Sequence, residues 1–561
     1  MTGAPDRANG DDPAEQPPPR RFPLAIWFIM ALQAMLMLAT TVIYPPFQSP
    51  DEIAHIDYVI AHRHGEWLDG VGERRYQVGV DKAYNQVPRM QDGTHIGAKP
   101  VPTRSARKSF DELGRGPSRN PYPNQMVQHP PLYYGLAAGF SYLLPNWSHQ
   151  RFDIQVFWLR LLSILLMAPV PLLIYAAARR ATGNGAIALV AAIIPLSMPT
   201  YLRIGASVTN DSLLTLLTVA VSALLVRVAW GDQTRRTAVL LGLAWGGSLL
   251  TKGFPLALPP AIVLAYLLGV DGSLRDRVRA SWRGIVASGA IGFALGGWWW
   301  IRNLVVYGAV QPNGFAKLSS HLRQQGFGAD RPHGSDLHFF ASFFHLLGQR
   351  IWGALGLTDL PSLPHSLLLL VAGVFIISQV AGVLVGLSRL RSRFDLPGWT
   401  TARAVSLLLP ATLTLAVIYV NARANYFQNH PLGGVQSRYI MPALLGPVIC
   451  SAVALYVVAG RLRRWLPLAA LTAALLFLAG CGYELISVEL SSPTADRIQG
   501  LRTGLRFVLD WAPFPTAVSV SIVVLTVALA AATAVSLWRD ATGRDDATRR
   551  DQHPVPATIG T

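Results

Sequence analysis

Asp51 and Glu52 stand directly after the first apolar run, in Pro45-Pro46-Phe47-Gln48-Ser49-Pro50-Asp51-Glu52-Ile53-Ala54-His55-Ile56-Asp57-Tyr58. Three prolines in six residues stop a membrane helix abruptly, because proline lacks the backbone donor and fixes φ. Two carboxylates at the rim of the hydrocarbon bear a desolvation cost that favours their protonated forms, so they need cationic partners, a metal or an open aqueous cavity. The alternative is a helix starting at Glu52 and capped by Asp51, with Glu52, His55 and Asp57 as its solvated face.

Polar residues of both charges recur at the ends of later apolar runs. Asn210-Asp211 follows Ser207-Val208-Thr209 and reads either as a helix cap or as a second functional acid. Lys252, one of five lysines in the chain, lies between two apolar runs in Thr251-Lys252-Gly253-Phe254-Pro255. Its compact ammonium suits a phosphate, with snorkelling to the interface as the alternative. In Gly296-Gly297-Trp298-Trp299-Trp300-Ile301-Arg302-Asn303 the tryptophans read as interfacial anchors, whereas the burial of Arg302 calls for a phosphate or a carboxylate. Arg438 opens a further apolar run in Gln436-Ser437-Arg438-Tyr439-Ile440-Met441-Pro442. Two acids and three cations on one membrane face suit a reaction on a lipid phosphate. The cations hold the phosphate leaving group and a carboxylate deprotonates the incoming nucleophile. Glu52 has two further readings, orienting His55 or holding a metal. No compact metal-ligand set is present, so no cofactor is predicted as obligatory, and a divalent metal remains compatible.

The elements that position these residues are membrane helices. Of 561 residues 51% are hydrophobic and 14% charged, and the apolar residues fall in long runs. At about 20 residues per crossing, spans are expected near 22–44, 154–178, 185–205, 210–230, 237–251, 254–270, 284–303, 366–388, 404–421, 438–459, 465–487 and 514–538. That is an all-α polytopic protein of about twelve transmembrane helices. The net charge of +17 does not point to nucleic acid, because arginines cluster in short segments between spans (179–180, 227–236, 275–283, 389–403, 461–464 and from 539), where the positive-inside rule places them. With both termini cytoplasmic, the long extracytoplasmic segments are 45–153, 304–365 and 488–513, and the chemistry-bearing residues collect beside them. The run 131–144 is short for a crossing and is read as interfacial. Residues 1–21 and 539–561 are expected to be disordered cytoplasmic tails, flanking a membrane module over 22–303 and C-terminal helices over 366–538. Cys450 and Cys481 lie in apolar runs and imply no disulfide framework.

Ser49-Pro50-Asp51-Glu52-x-x-His55, His129-Pro130-Pro131-Leu132-Tyr133-Tyr134, Asn210-Asp211, Thr251-Lys252-Gly253, Arg302-Asn303 with Tyr307-Gly308, and Gln436 to Pro442 occur in one order on one expected side. In this the chain resembles the GT-C superfamily of membrane glycosyltransferases, which includes protein O-mannosyltransferases and lipid A aminoarabinose transferases, and within it a bacterial family of predicted membrane proteins. The resemblance implies a GT-C-like bundle, a polyprenyl-phosphate sugar as donor, and inverting transfer to an extracytoplasmic acceptor of the cell envelope, in the bacterial inner membrane. It implies Asp51 as general base and Asp211 as a second acid near the acceptor. Lys252, Arg302 and Arg438 become lipid-phosphate contacts, with His55, His129, Asn210, Asn303 and Tyr439 beside them as substrate contacts, and 131–144 becomes a juxtamembrane helix. Two departures stand out: His129 where relatives often carry lysine, and Ser437 where glycine is common. A neutral His129 would donate a weaker hydrogen bond or act in proton transfer. Two other readings compete, a polysaccharide polymerase or ligase and a lipid-linked glycan flippase. The acidic pair after the first span favours the transferase over the first, and charges at one rim, away from the bilayer midplane, favour it over the second.

Overall fold

Leu24–Ile43 (α1) runs for 20 residues without a charged side chain, and it ends where Tyr44 turns extended ahead of Pro45 and Pro46, neither of which can continue the hydrogen-bond ladder. The computed structural model describes residues 22–88, 90–91, 95–96, 102–315, 334–355, 363–429, 435–491 and 496–552. After α1 come α2 (Glu52–Arg63), α3 (Val78–Gln86), α4 (Phe110–Leu113), α5 (Leu132–Tyr142), α6 (Phe152–Met167), α7 (Val170–Thr182), α8 (Gly185–Ile193), α9 (Pro199–Gly205), α10 (Asn210–Ala229), α11 (Arg235–Leu249), α12 (Pro259–Leu268) and α13 (Leu274–Tyr307). The longer helices Asp336–Gly353, His365–Leu384, Thr401–Asn429, Leu445–Val458, Leu466–Glu484, Arg497–Trp511 and Thr516–Gln552 follow. Two-residue strands at Met90–Gln91 and His95–Ile96 make the only sheet among the described residues.

The protein is an all-α polytopic membrane protein, but the expected twelve spans are not all found. Among the described residues eight helices are long and apolar enough to cross a membrane, or ten if each of two bent pairs counts as one span. The expected spans 237–251 and 254–270 are α11, of 15 residues, and α12, of 10. Hydropathy averages over the polar Thr251-Lys252-Gly253 break and over the 3-10 turn Phe254–Ala257, so it overstates helix length there. The two bent pairs are Gly185–Ser197 with Pro199–Gly205 (80°) and Ser437–Ala443 with Leu445–Val458 (76°). Proline sits at each break, as Pro195 and Pro199 in one and Pro442 in the other. One arm of each bent pair carries an arginine, Arg203 in Pro199–Gly205 and Arg438 in the turn Ser437–Tyr439.

The 131–144 run forms α5, whose 11 residues rise only about 16 Å at 1.5 Å per residue, too little to cross a core of roughly 30 Å. The first 21 residues lie outside the described residues, whereas Thr516–Gln552 carries helical backbone into the expected tail 539–561. Helix ends sort by charge. The arginine-bearing ends, with Arg179 and Arg180 on α7, Arg227 on α10, Arg235 on α11 and the first turns of α13, face away from the end where α1 stops and α10 begins. Trp230 Nε1 donates to Ala181 O at 3.1 Å and ties two of these basic ends together. The main core gathers α1, α7, α8 and Leu445–Val458, and a second core under the first loop packs Tyr58, Tyr133, Tyr134, Trp147 and Phe152.

Candidate functional site

Asp51 occupies the N-cap position of α2, yet its side chain caps nothing. Its backbone is left-handed, at φ 59°, a conformation that costs a non-glycine residue about 1 kcal/mol. In exchange the carboxylate turns out of α2. Its Oδ2 pairs with Arg438 Nη2 and its Oδ1 accepts from Gln125 Nε2 at 3.0 Å. The solvated-face reading of α2 fails, because Glu52, His55 and Asp57 are all buried.

Glu52, one residue on, points the other way. Arg160 Nε and Nη2 grip its two oxygens at 2.8 and 2.7 Å, and Val208 N donates to Oε1 at 3.0 Å. Arg160 spends its remaining donors on the carbonyls of Thr41, Tyr44 and Pro45 at 3.2, 2.6 and 2.9 Å. Expected as a catalytic acid beside Asp51, Glu52 is instead locked into a tie between the end of α1, α6 and the turn before α10. Arg160 was overlooked in the sequence, although an arginine inside an apolar span of this kind is itself a signal.

Asp211 lies in the first turn of α10 under an N-cap made by Thr209, whose hydroxyl accepts from Asp211 N at 3.2 Å. Here capping and function are not alternatives: the backbone is capped by Thr209, which leaves the Asp211 carboxylate for Lys252 Nζ at 2.5 Å and Arg438 Nε at 3.6 Å. The short α11 ends just before Lys252 and so delivers the ammonium to the start of α10, where its charge also faces the Tyr439 ring at 4.5 Å. Asp51, Arg438, Asp211 and Lys252 thus form an alternating chain of two acids and two bases, drawn from four separate segments. Each cation is held by a carboxylate, so the cluster is electrically balanced.

His55 Nδ1 lies 3.0 Å from the Tyr134 hydroxyl and Nε2 lies 3.4 Å from Thr209 Oγ1. Burial, reinforced by the Arg438 charge, pushes its imidazole down to about 3. Burial and the Lys252 charge hold His129 well below the ordinary histidine value, so both rings are neutral at pH 7. Burial alone would push the Asp51 carboxyl up, but Arg438, helped by Lys252, outweighs it and leaves the group below the ordinary aspartate value. His129 Nδ1 and Asn210 Oδ1 are buried with no hydrogen-bond partner among the described residues, whereas Asn210 Nδ2 donates to Thr251 O at 3.3 Å.

A half-open cavity of about 530 Å³ is lined by Asp51, His55, His129, Lys252, Arg438 and Tyr439. Arg302 and Asn303 are not on its wall. The Arg302 guanidinium lies over the Trp299 and Tyr307 rings at 5.1 and 5.6 Å and donates to Asn303 Oδ1 at 3.2 Å. Asn303 Nδ2 in turn donates to Val310 O at 3.2 Å, which braces the turn that puts Gln311, Pro312 and Asn313 on the wall. Of the three tryptophans expected as interfacial anchors, only Trp298 faces outward; Trp299 and Trp300 pack inward, and Trp300 Nε1 donates to Leu249 O at 3.2 Å. Among the described residues no group of three or more His, Cys, Asp or Glu is arranged to hold a metal.

Residues 34–446 match the model of a family described as Predicted membrane protein (DUF2142). No curated protein matches the chain in sequence. Among solved structures it is similar to ArnT from Cupriavidus metallidurans bound to undecaprenyl phosphate, at 16% identity and TM-score 0.47, over 94% of this chain and 81% of that chain. It is also similar to the Archaeoglobus fulgidus oligosaccharyltransferase in the apo form, at 12% identity and TM-score 0.42, over 95% of this chain but 58% of that one.

Proposed function

Because this chain belongs to the Predicted membrane protein (DUF2142) family, and the cavity holding Asp51, Lys252 and Arg438 is built from that family's matched region, we propose that it is a GT-C-type membrane glycosyltransferase. It moves a sugar from a polyprenyl-phosphate donor to an extracytoplasmic acceptor. The observation that carries the reading is a strained, outward-turned Asp51 held against Arg438 at an open cavity, with Lys252 and Asp211 beside them. A hydrolase of soluble glycans has no use for two cations that are balanced only by their own acids, whereas a phosphate has.

In this mechanism the donor phosphate enters against Lys252 and Arg438 and takes the place of Asp51 on the guanidinium. The freed Asp51 carboxylate removes the proton of the acceptor hydroxyl, whose oxygen attacks the anomeric carbon from the face opposite the phosphate. The bond from the anomeric carbon to the phosphate oxygen breaks as the new glycosidic bond forms, so the configuration inverts, and the two cations stabilise the departing phosphate. Tyr439 stacks beside Lys252 and positions it. His55 and His129, both neutral, hydrogen-bond and do not neutralise charge. Glu52, Arg302 and Asn303 support the site from behind. No metal is required in this scheme. The arginine-bearing helix ends opposite the cavity support an orientation with both termini cytoplasmic and the cavity on the extracytoplasmic side of a bacterial inner membrane.

The test is transfer of radiolabelled sugar from undecaprenyl-phosphate donors in membranes with matched amounts of the wild type or Asp51→Asn, with and without chelator. Transfer by the wild type alone, unchanged by chelator, is expected, with a loss of at least about a hundredfold in the variant. Full activity in Asp51→Asn removes the base, and loss in chelator restored by manganese or magnesium overturns the metal-free scheme.

A further inference from the structure

Three separate chain segments each place two carboxamides on the cavity wall. Gln125 and Gln128 come from the turn before His129, Gln311 and Asn313 from the turn after α13, and Asn421 and Asn425, one helical turn apart, from Thr401–Asn429. Among the described residues the wall's charged side chains are Asp51, Lys252 and Arg438, and each is already paired, Asp51 with Arg438 and Lys252 with the buried Asp211. The two imidazoles are neutral. When a phosphate takes the two cations, Asp51 is committed to the acceptor proton and, among the described residues, no other charge on the wall is left to meet a substituent of the sugar.

A carboxamide offers donors and an acceptor in one plane, which matches hydroxyl groups that each donate and accept. It cannot balance an ammonium or a carboxylate. A charged substituent brought against this wall surrenders part of its hydration and gains no ion partner, and discrimination of that kind is large because the loss is not compensated. We infer that the sugar carried on the lipid phosphate is a neutral, polyhydroxylated ring without an amino or carboxyl group. This rests on the transferase reading above, and it adds the substrate class to it.

The experiment uses the full-length protein in membrane vesicles with undecaprenyl phosphate carrying a neutral hexose, a neutral pentose, an aminopentose or a hexuronic acid. At least one neutral donor is expected to be used with kcat/KM about tenfold or more above either charged one. Asn425→Asp, which adds a carboxylate to the wall, is expected to raise use of the aminopentose donor about tenfold relative to the neutral ones. Equal use of charged and neutral donors, or preference for a charged one, overturns the inference and leaves the transferase standing. Turnover of none of the four overturns the transferase reading and the inference with it.

Discussion

Replacing Glu52 with Gln leaves the Arg160 guanidinium buried against carbonyls and a neutral amide, and breaking a buried pair from one side costs about 3–5 kcal/mol. Asp51→Asn removes a partly exposed carboxylate, and its one carbonyl oxygen still accepts from Arg438, while its Nδ2 faces Gln125, whose amide can turn to accept. The two adjacent acids therefore separate by measurement: Glu52→Gln is expected to lower the amount and thermal stability of folded protein, and Asp51→Asn to lower transfer at normal amounts. Equal stability of the two variants refutes the assignment of Glu52 to structure. The buried imidazoles add a pH effect. His55 is held down to about 3 and His62 to about 4 by burial, while in the unfolded chain each returns to about 6.5. Between those values the unfolded state binds the extra proton, so stability rises with pH and is lost as pH falls below about 6.5. The loss between pH 6.5 and 5 is at most about 2 kcal/mol per buried imidazole. Thermal unfolding in detergent is expected to fall over that range and to fall less in His55→Gln; an unchanged slope removes His55 as the cause.

At the scale of elements, the site depends on how closely α11 approaches α13. Both helices carry a pair of glycines four residues apart, Gly242 with Gly246 and Gly292 with Gly296, and these face each other. A Cβ at Gly296 would stand 2.3 Å from Gly246 O, and one at Gly292 would stand 2.2 Å from the Trp245 ring. α11 leads directly to Lys252, and α13 leads to the turn with Gln311 and Asn313. Gly296→Val should therefore move the ammonium away from Asp211, with Tm lowered and transfer reduced at least about tenfold, whereas Gly289→Ala, which meets nothing within 4 Å, serves as the neutral control. Normal transfer in Gly296→Val means that the contact does not set the cation's position. The first loop is joined to the helix Arg497–Trp511 by a second device. Arg104, Arg107 and Arg151 donate to the carbonyls of Leu509, Asp510, Ala512 and Pro513, the C-terminal end of Arg497–Trp511, where cations favour the helix dipole. This accounts for arginines of the first loop that are not on the cavity wall.

Across the whole molecule, many aliphatic side chains on α13, His365–Leu384 and Thr516–Gln552 are exposed, as expected of helices that meet lipid tails. Orientation is testable directly, because the two native cysteines are buried and give little background. Arg119→Cys in the first loop is expected to react with a membrane-impermeant maleimide in intact cells, and Arg393→Cys, in an arginine-bearing connection, only after permeabilisation. The reverse pattern inverts the proposed topology and puts the cavity in the cytoplasm.

Membrane class, four of the polar residues that gather at the candidate site and most span positions were legible in the sequence, because they follow from local properties: apolar runs, proline stops, arginine clusters and polar residues at span ends. Asp51, Asp211, Lys252 and Arg438 all show this signature, and the structure brings them together. The same signature was present in Arg302, Asn303 and Glu52, which turn to aromatic rings, to a neighbouring turn and to Arg160 instead. Hydropathy marks the depth of a side chain but not its direction, and direction depends on helix rotation, on the left-handed backbone at Asp51 and on which segment arrives opposite. The span count suffers in the same way, since a window average does not register a bend at a proline or a hairpin of two short helices. The pairing of Arg160 with Glu52 and the gathering of the wall's carboxamides arise only when distant segments meet, and that meeting was decided by tertiary structure alone.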